Sequence, residues 1–183
     1  PYQMAFLAVD EALRNAVSVG ADPTRIAILD NFTWGSCARP ETLGALVKTA
    51  EGCRDAALLY KTPFISGKDS LNNEFRTEDG RLIVVPPTLL ISALGVIKDV
   101  RKTVTLDLKQ PGNRLLLVGL TKPELGGGPW YRLKGVLGAH VPRVAQDAPR
   151  VLKTVAQALQ RGWVRAAHDL SEGGLAIALA EAC

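Results

Sequence analysis

Thr62–Phe75 reads Thr-Pro-Phe-Ile-Ser-Gly-Lys-Asp-Ser-Leu-Asn-Asn-Glu-Phe. It passes from a Pro-marked turn through a short apolar strand into a polar cluster that folding alone does not require. Gly67 allows a close backbone approach, and Lys68, Asp69 and Ser70 follow with a cation, a carboxylate and a hydroxyl. Such groups at a strand end suit an anionic, metal-bound ligand such as a nucleotide phosphate. A polar entry into a hairpin explains the same residues without any ligand. The Gly-Lys-x-Ser order does not make a P-loop, because the glycine required five residues before the Gly-Lys pair is Thr62 here.

Composition narrows the field. The 183 residues are 47% hydrophobic and 22% charged, with a net charge of +4 and 5% aromatics. That is ordinary for a globular protein and offers no basic, aromatic surface of the nucleic-acid-binding kind. No apolar run reaches the length of a membrane span and no signal peptide is present, so the expected location is the cytoplasm, with neither membrane nor nucleic acid as partner. Cys37, Cys53 and Cys183 form an odd set without paired spacing, expected as free thiols. The chain opens on Pro1, and Leu175–Cys183 stops inside an apolar helical run. We therefore expect a piece of a larger protein.

Upstream, Met4–Val19 reads as a helix placing Met4, Leu7, Ala8, Glu11, Ala12, Asn15, Ala16 and Val19 near one face, with Gly20 as its stop. Glu11 and Asn15, four apart, stack their oxygens: a half-shell for magnesium, or a solvated pair on the helix rim. Arg25–Phe32 reads as a strand ending in Asp30-Asn31, at a place where α/β strands meet ligands. Pro40 begins a long helix to about Tyr60, with a core face at Leu43, Leu46, Val47, Ala50, Cys53, Arg54, Ala57 and Leu58. Downstream, Asp79-Gly80 marks a hairpin tip. Thr88–Ile97 is a continuous apolar run, expected as a strand buried on both faces.

A charged shift at Lys98–Arg114 suggests a boundary, with domains over residues 1–101 and 110–183. In the second, Leu115–Gly119 and Trp163–Ala167 read as strands and Arg143–Gln160 as an amphipathic helix with Val144, Ala148, Val151, Leu152, Val155, Ala156 and Leu159 inward. Gly126-Gly127-Gly128 reads as a glycine-rich turn rather than a dinucleotide fingerprint. His168-Asp169-Leu170-Ser171-Glu172-Gly173-Gly174 joins a strand to the last helix, with Ser171 as its expected N-cap. Asp169 there suits a magnesium-bridged phosphate, or merely complements the helix dipole. His168 has no nucleophile motif beside it and reads as a packing or orienting residue.

Ile65–Phe75 and His168–Glu181, with Val9–Asp22 and Leu29–Gly35 in the right order, resemble blocks from the second half of the phosphoribosylformylglycinamidine synthase family, the large subunit of the purine pathway. The resemblance covers nearly the whole chain. It implies an α/β (α+β) fold: an aminoimidazole-ribotide-synthase-like N-terminal domain, which builds a barrel with a partner half, followed by a truncated C-terminal-type α/β sandwich. It implies ATP, or a structural ADP, together with Mg2+. The implied ligase converts formylglycinamide ribonucleotide to the amidine, with ammonia from a glutaminase partner and with the first half of the same polypeptide. By position in this sequence, the resemblance assigns Asp30, Gly67, Lys68 and Ser171 to nucleotide, Ser70 to substrate, and Glu11, Asn15 and Asp169 to the metal. The catalytic histidine of the family is expected outside this chain, which alone is expected to be inactive and to self-associate as a homodimer. Two alternatives stand beside the catalytic reading. One is a non-catalytic, structural nucleotide-binding half; the other is a same-fold enzyme of the selenophosphate synthetase or thiamine-phosphate kinase type.

Overall fold

A computed structural model describes residues 1–138 and 140–183. Helix α1 spans Tyr2–Ser18 and leads through a short 3-10 turn at Pro23–Arg25 into strand β1, Ile26–Thr33. Helix α2 follows over Pro40–Tyr60, then β2 (Phe64–Ser70), the hairpin β3–β4 (Glu74–Arg76 and Leu82–Val84) and β5 (Thr88–Gly95). The remainder carries α3 (Pro129–Leu133), α4 (Ala148–Gln160) and α5 (Gly174–Ala182). The mixed α/β class is therefore as expected.

The main sheet has the order β2-β1-β5, with β1 parallel to β2 and antiparallel to β5. The parallel pair is joined by α2, the crossover that parallel strands require. Both helices pack on one face of this sheet. Val9, Leu13 and Val17 of α1 and Ala56 and Tyr60 of α2 meet Ile26 and Ile28 of β1 in one cluster; Ala5, Cys53, Phe32 and Trp34 form a second. Trp34 is fully enclosed and donates its indole N–H to the Thr42 carbonyl at 3.2 Å. Pro40 begins α2 as expected, and Lys61 ends it in the left-handed region at φ 55.

The helices are rotated relative to the faces expected from periodicity. In α1 the buried stripe is Ala5, Val9, Leu13 and Val17, and Glu11, Asn15 and Val19 are exposed. In α2 the buried residues are Thr49, Gly52, Cys53, Ala56 and Tyr60, whereas Leu43, Val47 and Leu58 face out. Two adjacent apolar stripes compete in each helix. The one containing small residues wins, since Gly52 lets α2 come against the Tyr2 backbone and Ala5.

β5 is a strand but is not buried on both faces. Its residues alternate, with Leu90 and Leu94 about 60% exposed. Helices cover one face only, and the other is open. Asp79-Gly80 does form the hairpin tip, with Gly80 at φ 82 and its N–H on the Thr77 carbonyl at 3.0 Å.

Two expected strands are absent. Leu115–Gly119 has no strand pairing, and Leu116 is 79% exposed. Trp163–Ala167 is reduced to a single parallel bridge between Thr105 and Ala166. A strand needs a neighbour along its length to satisfy its backbone; among the described residues Leu115–Gly119 has none, and Trp163–Ala167 has only that bridge. α4 starts at Ala148, five residues later than expected, after which its inward face is as expected: Leu152, Ala156 and Leu159 are buried, and Leu152 and Ala156 join the α1–β1 cluster. This packing carries the C-terminal segment onto α1.

Candidate functional site

The candidate residues fall at two places. The first lies where α1 meets the 168–173 loop. The Asn15 side-chain nitrogen donates to Asp169 Oδ1 at 3.3 Å. Asp169 is 8% exposed, and its other oxygen, Oδ2, accepts the Ser171 hydroxyl. Burial pushes the Asp169 carboxyl up. The Ser171 hydroxyl, its own backbone amide, Arg14 and His168 outweigh that and hold it below the usual range, so it is ionised. His168 stands between Glu181 (Nε2 to Oε2, 2.8 Å) and Asp169 (Nδ1 to Oδ1, 3.4 Å). Glu181 foremost raises its pKa, against some burial. The orienting role expected of His168 is consistent with these contacts.

Ser171 is not the N-cap of α5. That position belongs to Gly173, at φ 85, and the Ser171 carbonyl instead accepts the Gly174 N–H at 3.2 Å. The two glycines let the chain turn in the left-handed region, which moves the helix start past the serine and frees its hydroxyl for Asp169. Glu11 is one turn before Asn15, exposed, and makes no ion pair or hydrogen bond among the described residues.

These donors suit magnesium. The Asp169 carboxylate and the Asn15 amide that meet here are hard oxygen ligands, few enough to leave positions for water and phosphate, whereas Glu11 makes no contact with the pair among the described residues. No three His, Cys, Asp or Glu residues cluster among the described residues, so a closed all-protein cage is not on offer here. Turning the Asn15 amide over would exchange its nitrogen for its oxygen in the same space.

The second place is the end of β1 and β2. Register puts Gly67 beside Asp30, Lys68 beside Asn31 and Ser70 beside Thr33. Alternation then divides the group between the two sheet faces. Asp30 shares the helix side with its β5 partner Ile91, and lies near enough to Cys53 to add to the burial that raises that thiol to about 11. The Asp30 carboxyl is itself raised, by burial first and by Asp69 second. Lys68 and Ser70 lie on the open face, where the Lys68 ammonium donates to the Ser70 hydroxyl. Gly67 is glycine for a local reason: a Cβ there would overlap the Asp30 carboxylate.

The two places do not merge within this chain. Ala16, next to Asn15, packs towards Gly95, which pairs with Ile26 at the start of β1. Lys68 pairs with Asn31, five positions further on, or about 16 Å at the rise of a strand. It also faces away from the helices. The resemblance assigns both Lys68 and Ser171 to nucleotide; the register and the sheet faces hold them apart in this chain.

The glycine-rich turn is closed to phosphate. The N–H groups of Gly126, Gly127 and Gly128 are spent on the carbonyls of His140, Leu137 and Leu125 at 2.7, 2.6 and 3.1 Å. A cavity of about 660 Å³ between the start of α1, Lys48 and the Lys122–Arg143 segment contains none of the candidate residues. Sequence reasoning missed Arg14, whose guanidinium reaches the Leu170 carbonyl at 2.6 Å. An Arg one position before Asn15 on the same helix was the available signal.

Residues 1–97 match the N-terminal domain, and residues 110–183 the C-terminal domain, of AIR synthase related proteins. The chain belongs to the AIR synthase related family. Within that family it is similar to phosphoribosylformylglycinamidine synthase subunit PurL of Gloeobacter violaceus, 38% identical over 185 residues, covering 100% of this chain and 24% of that protein. The PurL subunit of Thermococcus gammatolerans is 39% identical over 182 residues, covering 99% and 24%. The chain thus spans about a quarter of the length of the curated relatives it matches. The fold is shared with Thermotoga maritima PurL complexed with ATP, at a TM-score of 0.61 and 18% identity over 100% of this chain and 26% of that one. A second Thermotoga maritima structure, phosphoribosylformylglycinamidine synthase II, gives 0.54 and 20% over 98% and 25%. No helix among the described residues is long and apolar enough to cross a membrane.

Proposed function

We propose that this chain supplies nucleotide- and magnesium-binding groups to an ATP-dependent ligase of purine biosynthesis, the phosphoribosylformylglycinamidine synthase. The observation that carries this reading is the approach of Asn15 to Asp169, from opposite ends of the chain, beside a serine hydroxyl. Relatives named PurL at 38 and 39% identity supply the reaction class. The enzyme would phosphorylate the amide oxygen of formylglycinamide ribonucleotide, and ammonia from a glutaminase partner would then displace the phosphate. Magnesium, when bound, offsets phosphate charge.

The roles of this chain's residues follow from their chemistry. Asp169, Asn15 and Glu11 present oxygens to the metal, and Ser171 orients Asp169 while remaining able to donate to a phosphate oxygen. Lys68 neutralises an anion on the open sheet face, and Ser70 beside it hydrogen-bonds the phosphate or amide of the substrate. Asp30, on the other face, is the remaining nucleotide contact at this strand end. The reacting histidine, the first half of the polypeptide and the glutaminase lie outside this chain, in the cytoplasm.

A second reading is favoured by the separation of Lys68 and Ser70 from Asp169. The Asn15–Asp169 place would hold a non-exchanging, structural nucleotide, and the reaction would occur elsewhere. Equilibrium dialysis of the chain against ADP with and without magnesium tests the binding shared by both readings. Retention of co-purified nucleotide through gel filtration separates them, because a structural nucleotide stays bound and a substrate does not.

A further inference from the structure

A chain of side chains that touches no proposed ligand runs directly beneath Asp169. Asp10 is buried, 7% exposed, in the otherwise apolar face of α1. A buried carboxylate is costly unless its oxygens are paired, and here both are. Tyr60 of α2 donates its hydroxyl to Asp10 Oδ1, and Arg14 donates Nε to Oδ2 at 2.7 Å. Burial foremost, with Asp10 adding, drives the Tyr60 pKa far upward, so the phenol remains a donor. Arg14 then spends Nη1 on the Leu170 carbonyl at 2.6 Å.

Leu170 lies between Asp169 and Ser171, in a segment without regular secondary structure. Its carbonyl has no ladder to join and must find a partner elsewhere. A guanidinium is suited to this task. Its planar fork directs one N–H at Asp10 and another at the carbonyl, where the ammonium of a lysine offers no such fixed pair of directions. The buried network therefore ends on the backbone of the loop that carries Asp169.

We propose that Arg14 is a positioning residue: held on α1 by Asp10 and Tyr60, it docks the 168–171 loop through the Leu170 carbonyl so that Asp169 meets Asn15. This rests on the reading that Asp169 and Asn15 serve a magnesium-bound nucleotide, since otherwise the docking is structural alone. Arg14 touches no metal or phosphate in this scheme. It acts by fixing a loop that would otherwise have to be ordered on each binding event.

The test is amide hydrogen exchange of the ligand-free chain, paired with ADP titration in the presence of magnesium. Arg14→Met keeps the stem of the side chain and removes the fork. Asp10→Asn/Arg14→Met also removes the carboxylate left unpaired, and is read in its place if the single variant does not fold. We expect amides of the 167–174 segment to exchange at least about tenfold faster while those of β1 are unchanged. Magnesium-dependent ADP affinity should fall by a similar factor. Unchanged exchange in a folded variant overturns the proposal, as does faster exchange with undiminished ADP affinity. If the unsubstituted chain binds no ADP with magnesium, the ligand reading fails, while faster exchange in the variants still upholds docking of the loop by Arg14.

Discussion

Asn15 and Asp169 are separated by 154 positions in the sequence, and their side chains are 3.3 Å apart. Neither residue brings this about alone. α4 buries Leu152 and Ala156 in the cluster that also contains Val9, Leu13 and Val17 of α1, which moors the second segment on the first helix. Arg14 then ties down the loop. A buried apolar contact thus sets the coarse position, and a charge-assisted hydrogen bond sets the fine one.

Asp30 is expected to cost stability at neutral pH. Burial and Asp69 raise its folded-state pKa above its unfolded value. Below the unfolded value, near 4, the group is neutral in both states and no penalty exists. As pH rises through the folded value the charged form must be accommodated, and the penalty becomes complete. Asp30→Asn should therefore raise the urea midpoint at pH 7 and leave it nearly unchanged at pH 3. An equal gain at both pH values would mean that the charge is not the cause.

Trp34 is the largest fully enclosed side chain, packed 5.7 Å from Phe32 between ring centroids. Trp34→Ala should cost about 3–5 kcal/mol, read as a lowered urea midpoint. Trp34→Phe, which retains most of the volume but loses the bond to Thr42, should cost less. Equal losses would assign the stability to the hydrogen bond.

Self-association is expected of the chain on its own. The open sheet face carries Leu90 and Leu94, 59 and 63% exposed, and the hairpin adjoining the sheet exposes Phe75, at 65%. Exposed large apolar side chains on an uncovered sheet face favour a partner, and a two-fold dimer is the simplest closed one. Sedimentation at micromolar concentration should show a species heavier than the monomer, reverting towards monomer in Leu90→Lys/Leu94→Lys. A monomer in the unsubstituted chain contradicts this.

The first hundred residues were largely legible in the sequence, because each element there has a local signal: Gly20 as a stop, Pro40 as a start, Asp79-Gly80 as a tip. Rotation of the helices was not legible. Choosing between the Leu7–Glu11–Asn15 face and the Ala5–Val9–Leu13–Val17 face of α1 requires knowing how closely small residues let the elements approach. The strands expected at Leu115–Gly119 and Trp163–Ala167 failed for a related reason: apolarity predicts burial, but only a paired neighbour makes a strand. No local signal in the sequence implied that Asn15 and Asp169 meet; the resemblance gave them a shared role, and the contact itself comes from tertiary packing. The division of Lys68 and Ser70 from Asp30 follows from the period of two once β2 is paired, but the register shift that skips Ile65 between the Ile28–Phe64 and Leu29–Ser66 pairs has no sequence signature.

The most direct test of the account is calorimetric titration of ADP into the chain and two variants, each with magnesium and with chelator. Asp169 is buried against Asn15, whereas the Asp107 carboxylate is exposed, held near a pKa of about 2 by Lys109 and Thr105; its segment bridges to Ala166, beside the loop, so it is a neighbouring carboxylate that bonds to neither Asn15 nor Asp169. Asp169→Ala should weaken magnesium-dependent binding by about tenfold or more, equivalent to about 1.4 kcal/mol; Asp107→Ala should leave it unchanged, and chelator should abolish the difference. Equal affinities for the two variants in the presence of magnesium would contradict the account.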